Sequence, residues 1–373
     1  MVTAGGLTRR ALLAAALALA ALRPAAAAGV ECVVGQAPRV VAVGDVHGAY
    51  ERFAAILRTA GVIDEKQRWA GGSTHLVQVG DVLDRGTDTK RSLDLLMRLE
   101  GEAKKAGGRV HALLGNHEVM NMLGDLRYVR PAEYQWFRTP QSTERLHHLW
   151  ERSLASARDA AKKRGEKLDE DAFRKRFDAE APLGFVERTQ ALSEEGTYGR
   201  WLRARPVSVV VNGIAFVHGG LTPESAALGC DGINATVRRE LGEDLAKTRQ
   251  DPTAALATSE KGPLWYRGMA RDDEAVLSPA VDQALQKIGA RAVVIGHTVT
   301  ASHRIETRFA GRVLLIDAGM TDEYGGHAAA LEVDAQGRMT AVYPDSREPL
   351  AVEPRAARAG PGIFPQASQG GAR

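Results

Sequence analysis

Cysteine is scarce in this chain: Cys32 and Cys230 are the two in 373 residues. That excludes a thiolate zinc cluster and a Cys-X-X-Cys redox pair. In an oxidising compartment the two could pair, and in a reducing one they would remain thiols. Aromatic residues make up 5%, with no evident platform on which nucleic-acid bases would stack. No charge of one sign dominates, since 49 Lys and Arg face 46 Asp and Glu. Arg9, Arg10 and Arg23 fall in the first 28 residues, which hold no acid, so the remainder carries 46 of each sign. A neutral remainder without a basic stripe argues against a nucleic-acid partner. A long apolar run is also missing. Ala11 to Leu22 falls short of the roughly 20 residues a helix needs to cross a bilayer.

That short run fits a different use. Thr8-Arg9-Arg10 precedes it, and Ala26-Ala27-Ala28 follows with the small residues a signal peptidase accepts. Residues 1–28 are therefore expected to be a twin-arginine-type signal peptide. Its removal would leave an exported, periplasmic protein with no stable membrane anchor.

Beyond it, short apolar runs alternate with helical patterns. Val40 to Val43 reads as a strand and is followed by a helical spacing of Phe53, Ile56 and Leu57. His75 to Val79 is a second strand, Thr89 to Lys105 a helix with Leu93, Leu96 and Leu99 on one side, and Arg109 to Leu114 a third strand. Such alternation implies right-handed parallel crossovers, with ligands bound beyond the carboxyl ends of the strands. From Asp125 to Arg205 the pattern becomes helical, and more than half of residues 151–180 are charged. This insertion reads as a solvated helical face or, more sharply, as a cap that shapes substrate choice. Val207 to Val211 and Ile214 to Val217 flank Asn212-Gly213, a hairpin turn. Arg291 to Ile295 is another buried strand. Val313 to Ile316, Ala328 to Val333 and Met339 to Tyr343 suggest a β-meander in a second sheet. Residues 353–373, rich in Pro, Gly, Ala and Gln, read as a disordered tail.

The chemistry-bearing residues sit where the strands end. Gly44-Asp45-Val46-His47-Gly48 presents a carboxylate and an imidazole two residues apart. Gly80-Asp81-Val82-Leu83-Asp84-Arg85-Gly86 adds two carboxylates and a guanidinium, and Gly115-Asn116-His117-Glu118 an amide oxygen and an imidazole. The glycines permit tight turns and close backbone approach. Oxygen and nitrogen donors without thiolate suit manganese, iron or zinc. His218 and His297 each follow an expected strand and stand beside glycine.

This series resembles the motifs of the calcineurin-like metallophosphoesterases, and of their phosphoprotein phosphatase branch in particular. Leu113 to Met122, Gly124-Asp125-Leu126-Arg127-Tyr128, Gly262 to Gly268 and the stretch around Tyr324-Gly325-Gly326 are similar to the Shewanella-like protein phosphatases. The resemblance covers about residues 38–345. It implies an α/β fold, a two-sheet β-sandwich flanked by helices, with the helical insertion at about residues 125–205. It further implies two divalent or trivalent metal ions. Asp45, His47 and Asp81 would hold the first, Asp81 would bridge to the second, and Asn116, His218 and His297 would complete it. In-line attack by a metal-bridging hydroxide would then hydrolyse phosphate monoesters. Arg85 and Arg267 would clamp the phosphoryl oxygens. His117 would act as proton donor, oriented by Asp84.

The resemblance implies a phosphorylated protein as substrate, with phosphotyrosine favoured as in some Shewanella-like relatives. Small phosphoesters, including sugar phosphates and dinucleoside polyphosphates, are the rival within the same chemistry. A non-catalytic phosphate-binding module would show a broken motif, and none is broken. Asp317, after a buried strand, is a candidate brace for the site. Tyr266 and Tyr324 are candidates for the pocket wall. His75, His111, His147, His148, His303 and His327 read as structural or exposed.

Overall fold

Val40–Val43 is apolar at every position because both of its faces are covered, as in a strand packed between layers. Val40 and Ala42 point one way and Val41 and Val43 the other, which assigns them to different apolar clusters. The computed structural model describes residues 32–352; the expected signal peptide and C-terminal tail lie outside them.

Twelve strands are described: β1 (Val33–Val34), β2 (Val40–Val43), β3 (His75–Gln78), β4 (Arg109–Ala112), β5 (Ser208–Val211), β6 (Ile214–Val217), β7 (Ala292–Ile295), β8 (Glu306–Arg308), β9 (Val313–Leu315), β10 (Ala330–Val333), β11 (Met339–Val342) and β12 (Arg347–Pro349). They form two six-stranded sheets, ordered β12-β11-β10-β2-β3-β4 and β1-β5-β6-β7-β9-β8. In the first, β2, β3 and β4 run parallel; in the second, β6, β7 and β9 do. Between the sheets, Val40, Ala42 and Val77 share a cluster with Val209, Phe216, Val294 and Leu314. Truncating Phe216, which is wholly buried there, to alanine would cost about 3–5 kcal/mol.

Helices cover the outer faces. Tyr50–Thr59 and Thr89–Lys105 bury Phe53, Ile56, Leu57, Leu93, Leu96 and Leu99 in the same cluster as Val41, Val43 and Leu76. Gly229–Glu240 and Glu274–Ile288 bring Ile233, Val237, Val281 and Leu285 to Ala215, Val217, Val293 and Ile295. The β5–β6 hairpin turns at Asn212 and Gly213, with φ of 51° and 71°, the left-handed pair a type I′ turn needs. Cys32, just before β1, forms a disulfide with Cys230 in the helix Gly229–Glu240, Cα atoms 5.9 Å apart across 198 residues of sequence.

One expectation is overturned. The Val313 strand does not belong to a meander with the two strands after it, because β9 pairs with β7 and β8 in one sheet while β10, β11 and β12 form the meander in the other. The segment between β9 and β10 therefore crosses from sheet to sheet, carrying Asp317 and Tyr324 past the strand ends. The insertion is helical as expected, with helices at Ser142–Arg164, Glu170–Glu180, Phe185–Leu192 and Thr197–Arg203. The first two pack on each other through Trp150, whose ring lies 5.6 Å from Phe173 and 5.1 Å from Phe177. No helix among the described residues is long and apolar enough to cross a membrane.

Candidate metal centre

The carboxyl ends of β2, β3, β4, β6, β7 and β9 converge, and each delivers polar side chains: Asp45 and His47, Asp81 and Asp84, Asn116 and His117, His218, His297, and Asp317. Each of these residues is buried. His47, Asp81, Asp84, Arg85 and His297 adopt φ between 47° and 68°. Non-glycine residues in the left-handed region cost about 1–3 kcal/mol each and persist where the surroundings fix them. Glu118 supplies much of that fixing. Its carboxylate accepts hydrogen bonds from the amides of Asp81 (2.8 Å), Val82 (2.9 Å), Leu83 (3.1 Å) and Gly115 (2.7 Å), holding the second and third motifs together. Gly115 is required there, because a Cβ would collide with the Asp81 carboxylate.

Around Asp81, hydrogen-bond acceptors face one another. His47 Nδ1 lies 2.9 Å from the Leu83 carbonyl and His218 Nδ1 2.9 Å from that of Val79. A carbonyl only accepts, so both Nδ1 atoms carry a proton and the Nε2 atoms are the ones turned toward Asp81. His218 Nε2 then lies 2.9 Å from Asn116 Oδ1, 3.1 Å from His297 Nδ1 and 3.3 Å from Asp81 Oδ2. His47 Nε2 is 3.6 Å from Asp81 Oδ2 and 3.9 Å from Asp45 Oδ2. Protons relieve this crowding on the carboxylates and not on the His47 and His297 imidazoles. Burial pushes His47 down to about 4, against the pull of Asp81. His297 falls to about 2, through burial and then the neighbouring His218 and Arg267. On the carboxylate side, burial, Asp317 and Asp81 raise Asp45 well above the ordinary range, and burial raises Asp317 to about 6. Imidazole nitrogens and carboxylates buried together at this density are the donor set of a bound cation.

Two groups have ligand atoms mutually within 4.8 Å: His47, Asp81 and His117, and Asp81, His218 and His297. Asp81 belongs to both, while the first group holds His117 where the resemblance implied Asp45. His117 is also otherwise engaged, since its Nδ1 lies 2.7 Å from Asp84 Oδ2. Asp84 Oδ1 in turn accepts from Asn121 at 2.9 Å. Burial lowers His117, but Asp81 and then Asp84 overcome it, so the net shift is upward. The Asp84 carboxylate therefore fixes the ring and leaves Nε2 facing the cleft.

A cleft of about 290 Å³ opens over these groups, lined also by Arg85, Tyr128, Trp265, Arg267, Arg271, Val299 and Tyr324. The Arg85 guanidinium is stacked between Tyr128, at 4.3 Å, and Tyr324, at 5.1 Å, and is tethered to Glu323 at 2.5 Å. Arg267 donates to the His297 carbonyl at 2.6 Å and to Thr298 Oγ1 at 2.9 Å. Both guanidiniums thus reach the cleft already oriented. Tyr324 lines it and Tyr266 does not; Tyr266 packs instead against Gly220 and Gly268. Of the insertion, Tyr128 alone is part of the lining. His75 and His111 pair with each other, His303 stacks on His327, and His147 and His148 are exposed beside glutamates, all outside the cleft.

Residues 38–301 match the family model described as Calcineurin-like phosphoesterase. The chain belongs to that family. Among relatives of this phosphoesterase, Shewanella-like protein phosphatase 2 of Arabidopsis thaliana is 34% identical over 286 residues, which is 76% of this chain and 71% of the relative. Shewanella-like protein phosphatase 1 of Plasmodium berghei is 29% identical, over 76% of this chain and 67% of its own. A cold-active protein-tyrosine phosphatase of a psychrophilic Shewanella species superposes with a TM-score of 0.64 at 26% identity, covering 86% of this chain and 83% of its own. The two-sheet fold and the activity class, phosphoester hydrolysis, follow from this membership. The phosphoesterase also holds residues the motifs did not announce: Trp265, edge-on to His297 with centroids 6.0 Å apart, Arg271 at the rim, Glu323 behind Arg85, and a buried arginine, Arg188. Of these, Trp265 and Glu323 lie in or beside stretches that already marked the family; Arg271 and Arg188 carry no local signal.

Proposed function

We propose that this phosphoesterase removes phosphate from phosphorylated proteins, phosphotyrosine foremost, as an exported enzyme holding two metal ions. The observation that carries the reading is the pair of buried acceptor groups that share Asp81. Asp45, His47 and Asp81 would hold one ion and Asp81, Asn116, His218 and His297 the other, with manganese, iron or zinc suited to these donors. When bound, such ions polarise phosphoryl oxygens and lower the pKa of water.

The protein's own groups supply the rest. Arg85 and Arg267 each present N–H donors to non-bridging phosphoryl oxygens, and their tethers mean that little side-chain freedom is lost on binding. A water oxygen forms the new bond to phosphorus as the bond to the leaving oxygen breaks. His117 Nε2 gives that oxygen its proton, while Asp84, on Nδ1, stabilises the imidazolium beforehand. Trp265 and Tyr128 wall the cleft and limit competing water.

Two observations favour aryl phosphate in a protein. Tyr128 and Tyr324 flank Arg85 at the cleft, a surface on which a substrate ring can pack beside its phosphate. The relatives are described as protein phosphatases and the structural neighbour as a tyrosine phosphatase. Export is supported by Arg9-Arg10 before the apolar run and by a disulfide, which suits an oxidising compartment. The test is kcat/KM on metal-loaded protein for phosphotyrosine and phosphoserine peptides, a sugar phosphate and a dinucleoside polyphosphate. Phosphotyrosine peptides are expected to lead, and a lead for either small molecule overturns the protein-phosphatase reading.

A further inference from the structure

Arg188 is the largest fully buried side chain of the described residues, 1% exposed, and it comes from the charge-rich insertion. Its helix, Phe185–Leu192, does not line the cleft. Its guanidinium nevertheless ends next to the group that holds His117. Nε donates to Glu133 Oε1 at 2.6 Å, and Nη2 donates to Asn121 Oδ1 at 2.9 Å. The same Nη2 lies 3.7 Å from Asp84 Oδ1. Asn121 passes the contact on, because its Nδ2 donates to that same Asp84 oxygen at 2.9 Å and to the His117 carbonyl at 2.9 Å. Glu133 and Asp84 are both 0% exposed. Glu133 is held on its other oxygen by Thr89 Oγ1 at 3.2 Å.

Each bond fixes a choice the side chain could otherwise make. An amide can turn over, exchanging its oxygen and nitrogen. Arg188 has no acceptor, so Asn121 must present its oxygen to Arg188 and its nitrogen to Asp84. Asp84 then has one oxygen occupied by Asn121 and the other free for His117 Nδ1. Arg188 also places a positive charge 3.7 Å from Asp84 Oδ1. We infer that Arg188 is a positioning residue: through Asn121 and Asp84 it sets the orientation of the His117 ring, so that docking of the insertion arms proton donation to the leaving group. The insertion thus acts on catalysis from behind the site, besides giving Tyr128 to the cleft wall.

This inference rests on His117 as proton donor, and the experiment separates the two ideas. Removing Arg188 alone would strand Glu133 as a buried unpaired charge and endanger folding. The variant to test is therefore the double change Arg188→Met with Glu133→Gln, alongside Arg188→Lys and His117→Asn. Each is loaded with metal, checked for metal content and melting temperature, and assayed on an alkyl phosphate and on an aryl phosphate with an activated phenol leaving group. The alkyl substrate needs the proton more. Arg188→Met/Glu133→Gln is expected to retain its metal and lose kcat on the alkyl phosphate on the order of 10- to 100-fold, with KM unchanged and much less loss on the aryl phosphate. Arg188→Lys, which keeps the charge but not the fork, should recover part of that loss. The inference is overturned if the double variant falls equally on both substrates, or on neither, while His117→Asn discriminates. If His117→Asn itself does not discriminate, the proton-donor reading is what fails.

Discussion

From the sheet containing β2, β3 and β4 come Asp45, His47, Asp81 and Asn116; from the sheet containing β6, β7 and β9 come His218, His297 and Asp317. Both sheets use three adjacent parallel strands and the same carboxyl ends, yet the first sends mainly oxygen donors and the second mainly imidazole nitrogens. The first half alone would bury negative charge without compensation, and the second would bury lone pairs without a cation. Packing of the sheets brings His218 to within 3.3 Å of Asp81. The centre is therefore a property of the interface between the layers, and the inter-sheet core around Phe216 and Val294 sets its spacing.

The most damaging way to break this pairing is at the shared carboxylate. Asp81→Asn keeps the shape but removes the charge common to both halves, and should lower kcat/KM by at least about 1,000-fold with loss of both ions by elemental analysis. Retention of two ions would show that Asp81 does not join the halves. A second substitution tests each half by itself. His297→Gln and Asp45→Asn should each weaken one ion, by at least about 100-fold in affinity, leaving closer to one ion per chain. If either removes both, the halves are not separable. The arginine between them comes next. Arg267→Ala deletes a charged donor worth about 1.5–3 kcal/mol, hence on the order of 10- to 100-fold in kcat/KM with metal content intact. Smallest in activity is the double change Cys32→Ser, Cys230→Ser. It should leave kcat unaltered, because neither residue lines the cleft, while denaturant unfolding reports a stability loss of about 2–5 kcal/mol. A fall in kcat would mean that the β1 edge contributes to the spacing of the halves.

The two halves also differed in how openly the sequence displayed them. Asp45, His47, Asp81, Asp84, Arg85, Asn116 and His117 stand in short glycine-flanked motifs, because a strand that ends in a tight loop needs glycine next to the ligand. His218 and His297 had only a strand and a neighbouring glycine to mark them, and the family resemblance was needed to join them to Asp81. Strands with continuous apolar runs were visible for the same reason that they are buried on both faces. Strands β1, β8 and β12, two or three residues each, are too short to carry a period. The misplaced β9 shows a further limit. Val313–Leu315 is as apolar as any neighbour, and nothing local says whether it pairs with β7 or β10.

Arg188 marks the far end of that scale. In the sequence it is one charge among many in an insertion that reads as solvated surface, and in the fold it is wholly buried against Glu133, Asn121 and Asp84. By itself the sequence determined the chemistry: which donors exist, that they end strands, and that they suit a phosphoester-hydrolysing metal centre. Tertiary structure alone decided the partners: the pairing of Cys32 with Cys230, the sheet that receives β9, the placing of Tyr324 and not Tyr266 at the cleft, and the route from the insertion to His117. Donor type is carried by residue identity and local backbone. A partner dozens or hundreds of residues away is chosen by how layers pack, which no local pattern encodes.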